Sequence, residues 1–129
     1  MDLLLDTHIL LWAITEPERL PDEAQARLMD PYRIVFFSAA SIWEIGIKAS
    51  PGKGDFTFQP EPVYQLAIET GFTALAVTST HGCAVAHLPW LHRDPFDRLL
   101  VAQAQISGLR LLTADRSLPQ YSDLVELIG

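Results

Sequence analysis

The chain has 129 residues, one domain's worth, and its 49% hydrophobic and 19% charged residues exclude wholesale disorder and supply a core without staples. Nine Lys and Arg stand against sixteen Asp and Glu, and the net charge of −7 excludes binding to nucleic acid or membrane surfaces by bulk charge. A polyanionic partner would need the field reversed locally, as a bound divalent cation reverses it. The single Cys83 allows no internal disulfide. Apolar runs such as Ile9 to Ile14 fall well short of the roughly 18 residues that span a bilayer. Met1-Asp2-Leu3 has no signal-peptide character, so a cytoplasmic location is expected.

Strand and helix signals alternate along the chain, which predicts a single α/β domain over 1–129 with a mostly parallel sheet. Leu3-Leu4-Leu5 reads as a buried first strand. Thr7 to Ile14 reads as a helix capped by Asp6 or Thr7 and broken at Glu16-Pro17. Pro21-Asp22-Glu23 opens a second helix that ends near Asp30-Pro31. Arg33 to Phe37 is the clearest strand and stops at Ser38. A helix over Ala39 to Ala49 follows, then a turn at Pro51-Gly52-Lys53-Gly54. Pro62 to Thr70 is helical, with Gly71 at its C-terminal cap. A strand over Phe72 to Val77, a short helix over Ser79 to His87 and a loop over Leu88 to Arg93 come next. Asp94-Pro95 opens the longest helix, which runs to Ser107 before Gly108. Leu109 to Thr113 and Leu124 to Leu127 are the last two strands.

In parallel α/β sheets, ligands sit outside the carboxyl ends of the strands. Asp6, Ser38, Thr113 and Asp115 fall there, and Glu44, Asp94 and Asp97 lie on helices beside them. Each acid also has a structural reading. Asp6 suits an N-cap. Ser41-Ile42-Trp43-Glu44 has capping-box spacing. Asp94 before Pro95 is a strong N-cap, Asp97 favours the helix dipole at the third position, and Asp115 suits a turn. Carboxylates sharing one crevice repel, and protonation or a bound cation relieves them. An all-oxygen set suits Mg²⁺ or Mn²⁺, whose bound water would be the nucleophile.

Three stretches then match a known pattern. They are Leu4-Leu5-Asp6-Thr7-His8, the run Ser38-Ala39-Ala40-Ser41-Ile42-Trp43-Glu44-Ile45-Gly46-Ile47-Lys48, and His92-Arg93-Asp94-Pro95-Phe96-Asp97-Arg98-Leu99-Leu100. With Leu111-Leu112-Thr113-Ala114-Asp115, they resemble the PIN-domain nucleases over the whole chain, and within these the VapC toxins of type II toxin–antitoxin modules. The resemblance implies a three-layer α/β/α sandwich around a parallel sheet of strand order 3-2-1-4-5. It implies that strands one and four are neighbours, so that Asp6 and Asp115 meet. It also implies a homodimer, a VapB-like antitoxin, and an RNA substrate such as a tRNA loop or another single strand.

Carried over residue by residue, the acids are Asp6, Glu44, Asp97 and Asp115. Asp6, Asp97 and Asp115 are the expected ligands of Mg²⁺ or Mn²⁺, and Glu44 either ligates or accepts a proton from the attacking water. Thr7, Ser38, Asp94 and Thr113 are expected to orient ligands or bound waters. In-line attack would leave 5′-phosphate and 3′-hydroxyl ends, as the resemblance implies. Lys48, Lys53, Arg93, Arg98 and Arg116 lie near these motifs and are candidates to hold RNA, with exposed ion pairs as their alternative role. Trp90 and Phe96 read first as core or loop packing, with base stacking as their alternative, and Trp12 and Trp43 as core or dimer packing.

His81, Cys83 and His87 lack a fourth ligand for zinc, and Cys83 is expected to be a buried apolar residue. His8 and His92 stand beside the motifs with no assigned chemistry. Two other classes compete with a nuclease. A receiver-type signalling domain would need an acceptor Asp ending strand three and a Lys ending strand five, where Val77-Thr78 and Leu127-Ile128 stand instead. A non-catalytic interaction module would be expected to have lost some of the acids.

Overall fold

The computed structural model describes residues 1–49 and 57–128. The expected turn at 51–54, with Lys53, lies outside these. Five strands form one sheet: β1 (Leu3–Leu5), β2 (Val35–Ser38), β3 (Thr73–Leu75), β4 (Arg110–Thr113) and β5 (Val125–Leu127). Their order is β3-β2-β1-β4-β5 and every pairing is parallel. The expected topology is therefore the observed one.

Six helices flank the sheet: α1 (Thr7–Thr15), α2 (Asp22–Leu28), α3 (Ala39–Lys48), α4 (Pro60–Thr70), α5 (Ser79–Val85) and α6 (Pro95–Ser107). Two single 3₁₀ turns, Pro17–Arg19 and Leu118–Tyr121, are additions to the expected elements. Each has a proline in its first two positions, Pro17 and Pro119, whose fixed φ suits the start of a helical turn. Helix α4 starts at Pro60, two residues earlier than its pattern suggests.

Strand β1 separates two cores because successive strand side chains point to opposite faces. Leu3 and Leu5 join Ile9 and Leu10 of α1, Phe37 of β2, Ile45 of α3 and Ala67 of α4 on one side. Leu4 joins Leu100, Val101 and Ala104 of α6, together with Leu111 and Leu118, on the other. All three leucines of β1 are fully buried, as expected for the central strand of a covered parallel sheet. No helix among the described residues is long and apolar enough to cross a membrane.

Gly71 (φ 102°) and Gly108 (φ 67°) end α4 and α6 in the left-handed region, where a Cβ is strained. Parallel register then sets the height of the strand ends. Leu5 pairs with both Phe37 and Leu112, so the next residues, Asp6, Ser38 and Thr113, share one level at the carboxyl edge. Phe37 is fully buried in β2 beside β1. Phe37→Ala is expected to cost about 3–5 kcal/mol, read as a lowered midpoint in urea with an unchanged slope.

Candidate metal centre

A cavity of about 320 Å³ opens at this carboxyl edge, lined by Asp6, Thr7, His8, Trp12, Glu44, Lys48, Asp94, Asp97, Ala114 and Asp115. All four expected acids line it. They arrive from separate elements: Asp6 at the β1–α1 junction, Glu44 from the middle of α3, Asp97 from the first turn of α6 and Asp115 just past β4.

Asp6 is buried, and its carboxylate has two jobs. Its Oδ1 accepts from the Ile9 amide at 2.8 Å, capping α1, and its Oδ2 accepts from the Thr113 hydroxyl at 2.6 Å. Burial pushes the Asp6 carboxyl up, and the Thr113 and Ile9 donors offset only part of that.

Glu44 does not close a capping box. Ser38 caps α3 a turn earlier, accepting from the Ala40 amide at 3.0 Å, so Ser41 is already inside the helix. Freed from the backbone, Glu44 accepts from the Thr7 hydroxyl at 2.6 Å and pairs with Lys48 at 2.8 Å, one turn along α3. The Thr7 and Ser41 hydroxyls share a further bond at 2.9 Å. Ser38, expected to orient ligands, spends its hydroxyl on the cap and does not line the cavity.

Asp115 is the most solvated of the four. Its Oδ1 accepts from the amide and the hydroxyl of Ser117, at 2.8 and 2.6 Å, and its Oδ2 lies 2.9 Å from His92 Nε2. Burial raises its carboxyl, but the Ser117 and His92 donors outweigh that and hold it below the usual range. The Thr113 hydroxyl ties the two strand ends together: it donates to Asp6 and accepts from the Asp115 amide at 3.0 Å.

Asp97 differs from the other three. Asp94 caps α6, its Oδ1 accepting from the amides of Phe96 and Asp97, so the backbone of Asp97 is fixed. The Asp97 carboxylate itself has no hydrogen-bond donor among the described residues, and the ring nitrogen His92 Nε2 lies 3.8 Å away. Burial first, then the charges of Asp94, Asp6 and Glu44, push its carboxyl up to about 7. A carboxylate so placed, in an oxygen-rich cavity, fits a hard divalent cation. The trio whose donor atoms lie within 4.8 Å of one another is His92, Asp97 and Asp115. Asp6 lines the same cavity without joining that trio.

The basic residues divide. Lys48 lies at the cavity but is paired with Glu44. Arg93 and Arg116 are exposed, next in sequence to the hydrogen-bonded His92 and Asp115. Arg98, expected to hold RNA, is buried at 3% exposure and does not reach the cavity. Its guanidinium donates to the Pro89 and Val85 carbonyls at 2.8 and 3.1 Å and to the Tyr121 hydroxyl at 3.2 Å, under the Trp90 ring at 4.1 Å. Arg98 is thus a clamp on the loop that leads to His92. Trp43 is 64% exposed, edge-on to Phe96 rather than in the core, whereas Trp12 packs partly against it. His81 is buried, closing a capping box with Thr78, while Cys83 is exposed rather than buried.

Sequence reasoning left His92 and Ser117 without a role. Ser117 was discoverable from the Asp115-x-Ser117 spacing of an Asx turn. His92 meets a partner 23 positions away, which no local pattern reveals.

Over residues 3–124 the sequence matches the PIN domain family, and the chain belongs to that family. The receiver reading falls with this membership. Three solved structures share the fold over nearly their whole length. The VapBC2 structure from Rickettsia felis, bound to a DNA fragment from their promoter, is 17% identical with a TM-score of 0.72 and covers 100% of both chains. A toxin–antitoxin complex from Klebsiella pneumoniae is 16% identical with a TM-score of 0.63, covering 97% of this chain and 96% of that one. FitAcB from Neisseria gonorrhoeae is 21% identical with a TM-score of 0.59, covering 98% and 96%. At these identities the likeness is one of fold. Among curated proteins, none matches the sequence.

The raised carboxyl of Asp97 has a consequence for stability. Folded, it keeps its proton up to about 7; unfolded, it releases it near 3.8. The folded state therefore binds more protons between those values. The stability this contributes is complete below the lower value and lost as pH rises through the upper one. Asp97→Asn is expected to remove that loss. In a chelator, the variant should melt above the parent at about pH 8, with the gap narrowing at about pH 5.

Proposed function

We propose that this PIN domain is a metal-dependent endoribonuclease, the toxin of a VapBC-type toxin–antitoxin module. The observation that carries the reading is the Asp97 carboxylate: half-buried, surrounded by three other acids, and without a donor of its own among the described residues. A bound cation relieves charge concentrated in this way without the carboxylates having to take up protons. Asp97, Asp6 and Asp115 would hold Mg²⁺ or Mn²⁺, with Asp97 as the anchor. The bound ion supplies charge neutralisation at a phosphate and a water of lowered pKa.

The chain's own residues do the rest. Glu44, held between Thr7 and Lys48 at the cavity wall, accepts the proton of the attacking water. Thr113 keeps the Asp6 carboxylate and the Asp115 backbone in fixed relation through one hydroxyl. Asp94 fixes the start of α6, and so the height from which Asp97 enters. In-line displacement then leaves 5′-phosphate and 3′-hydroxyl ends.

RNA, probed as a single strand or an exposed tRNA loop, meets an overall negative protein, so local cations must guide it. Arg93 and Arg116 serve this purpose: both are exposed, both flank the His92–Asp115 contact, and neither has an ion-pair partner among the described residues. A VapB-like antitoxin as partner is supported by the toxin–antitoxin complex among the structures of this fold. Assembly as a homodimer and a cytoplasmic location belong to the same reading.

Asp6→Asn and Asp97→Asn are each expected to lower cleavage of RNA more than about 100-fold, beyond what losing a ligand's supporting partner costs, while far-UV circular dichroism is unchanged. Either variant cutting at the parental rate would sink the assignment. Arg93→Ala and Arg116→Ala are each expected to weaken RNA binding and to flatten the plot of log affinity against log salt by about 0.7, as loss of one phosphate contact to a single strand does. Fluorescence anisotropy over a salt series, in a chelator to prevent cleavage, measures both.

A further inference from the structure

His92 is not one of the cavity's lining residues, but it lies beside two that are, Asp97 and Asp115, at a spacing a metal ligand could have. Its other nitrogen argues otherwise. The Asp94 amide, which can only donate, lies 3.0 Å from His92 Nδ1. Nδ1 therefore accepts, and the ring proton sits on Nε2. Nε2 is directed at Asp115 Oδ2, 2.9 Å away. A nitrogen that carries a proton has no lone pair for a cation.

The ring is held firmly in this role. Its loop is clamped from beneath by Arg98, through the carbonyls of Val85 and Pro89 and the stack on Trp90. The Leu91 amide donates to the Pro89 carbonyl at 2.9 Å, tightening the turn just before His92. Together with the two Ser117 donors, His92 gives Asp115 three fixed hydrogen bonds, although its side chain is 36% exposed. A solvated carboxylate with three fixed donors is held in one orientation, and Asp115 is so held at the cavity lining.

We propose that His92 is a positioning residue, a hydrogen-bond donor that orients Asp115 for the cation and does not itself ligate it. The proposal rests on the metal-dependent reading of the cavity, and the test separates the two. The probe is Mn²⁺ alone, titrated into the full chain and followed by electron paramagnetic resonance. His92→Ala is expected to weaken Mn²⁺ binding about 10- to 100-fold, the usual cost of removing a ligand's supporting partner. His92→Gln, whose amide nitrogen reaches the same place as Nε2, is expected to recover most of that loss. Electron spin echo modulation of the Mn²⁺-loaded parent should show no coupling to a directly bound histidine nitrogen.

Three results would overturn the proposal while leaving the metal centre intact: a histidine nitrogen coupling in the parent, His92→Gln binding as poorly as His92→Ala, or His92→Ala binding as tightly as the parent or tighter. The last would make the ring a placeholder that competes with the cation. If the parent itself takes up no Mn²⁺, the metal-dependent reading fails and this proposal fails with it.

Discussion

Mutual repulsion among carboxylates at the carboxyl edge of the sheet is the constraint around which the rest is arranged. Parallel strands in register deliver Asp6 to the same level as Thr113 and bring Asp115 just beyond it. Helices α3 and α6 then add Glu44, Asp94 and Asp97. Each added charge makes the next one harder to hold, because partial burial weakens the screening that separates them in water. The protein answers with neutral donors wherever it can. Thr7, Thr113 and Ser117 give hydroxyls, and Ile9, Phe96, Asp97 and Ser117 give backbone amides. Among the described residues Lys48 is the one lysine or arginine that lines the cavity, and it is committed to Glu44.

This economy with positive charge bears on function. A site neutralised by Lys and Arg would be stable and would have no use for a cation. Hydrogen bonds from hydroxyls and amides fix the direction of a carboxylate without cancelling its charge. The acids are thereby oriented without being neutralised by a fixed cation, which is the condition a metal centre needs before its ion arrives. Arg98 illustrates the same division. It is the residue next to Asp97 and the obvious candidate to quench it, yet the fold turns its guanidinium away to carbonyls of the preceding loop. That withdrawal leaves Asp97 uncompensated and gives the loop bearing His92 its footing.

The sequence made the strands and the acids legible because both depend on local pattern. Leu3-Leu4-Leu5 ends at an acid, and Asp94-Pro95 opens a helix, whatever the rest of the chain does. The roles that local pattern leaves open depend on contacts made at a distance. Glu44 matched a capping box because Ser41 stands three residues before it, but Ser38 reached the cap position first. Its true partner, Thr7, lies 37 positions away. Ser38 reads as a site residue from its place at a strand end, a place that serves equally well to begin a helix. Arg98 read as exposed because arginine usually is. Its burial required the 85–91 loop to fold over it, and nothing within that loop announces the need for a cation.

Asp97 also couples the cation to the proton. Its carboxyl, pushed up to about 7 by burial and by its acidic neighbours, is only partly ionised near neutral pH. A ligand must be deprotonated to bind a metal, so uptake of a divalent ion there displaces a proton from a fraction of molecules. The energy stored as repulsion in the empty cavity is the same energy that drives this exchange. Relieving it differently, by exchanging an acid for its amide, would make the fold more comfortable and the cation less welcome. The electrostatic strain at the sheet edge and the affinity for the ion are therefore a single quantity, seen once from the side of folding and once from the side of binding.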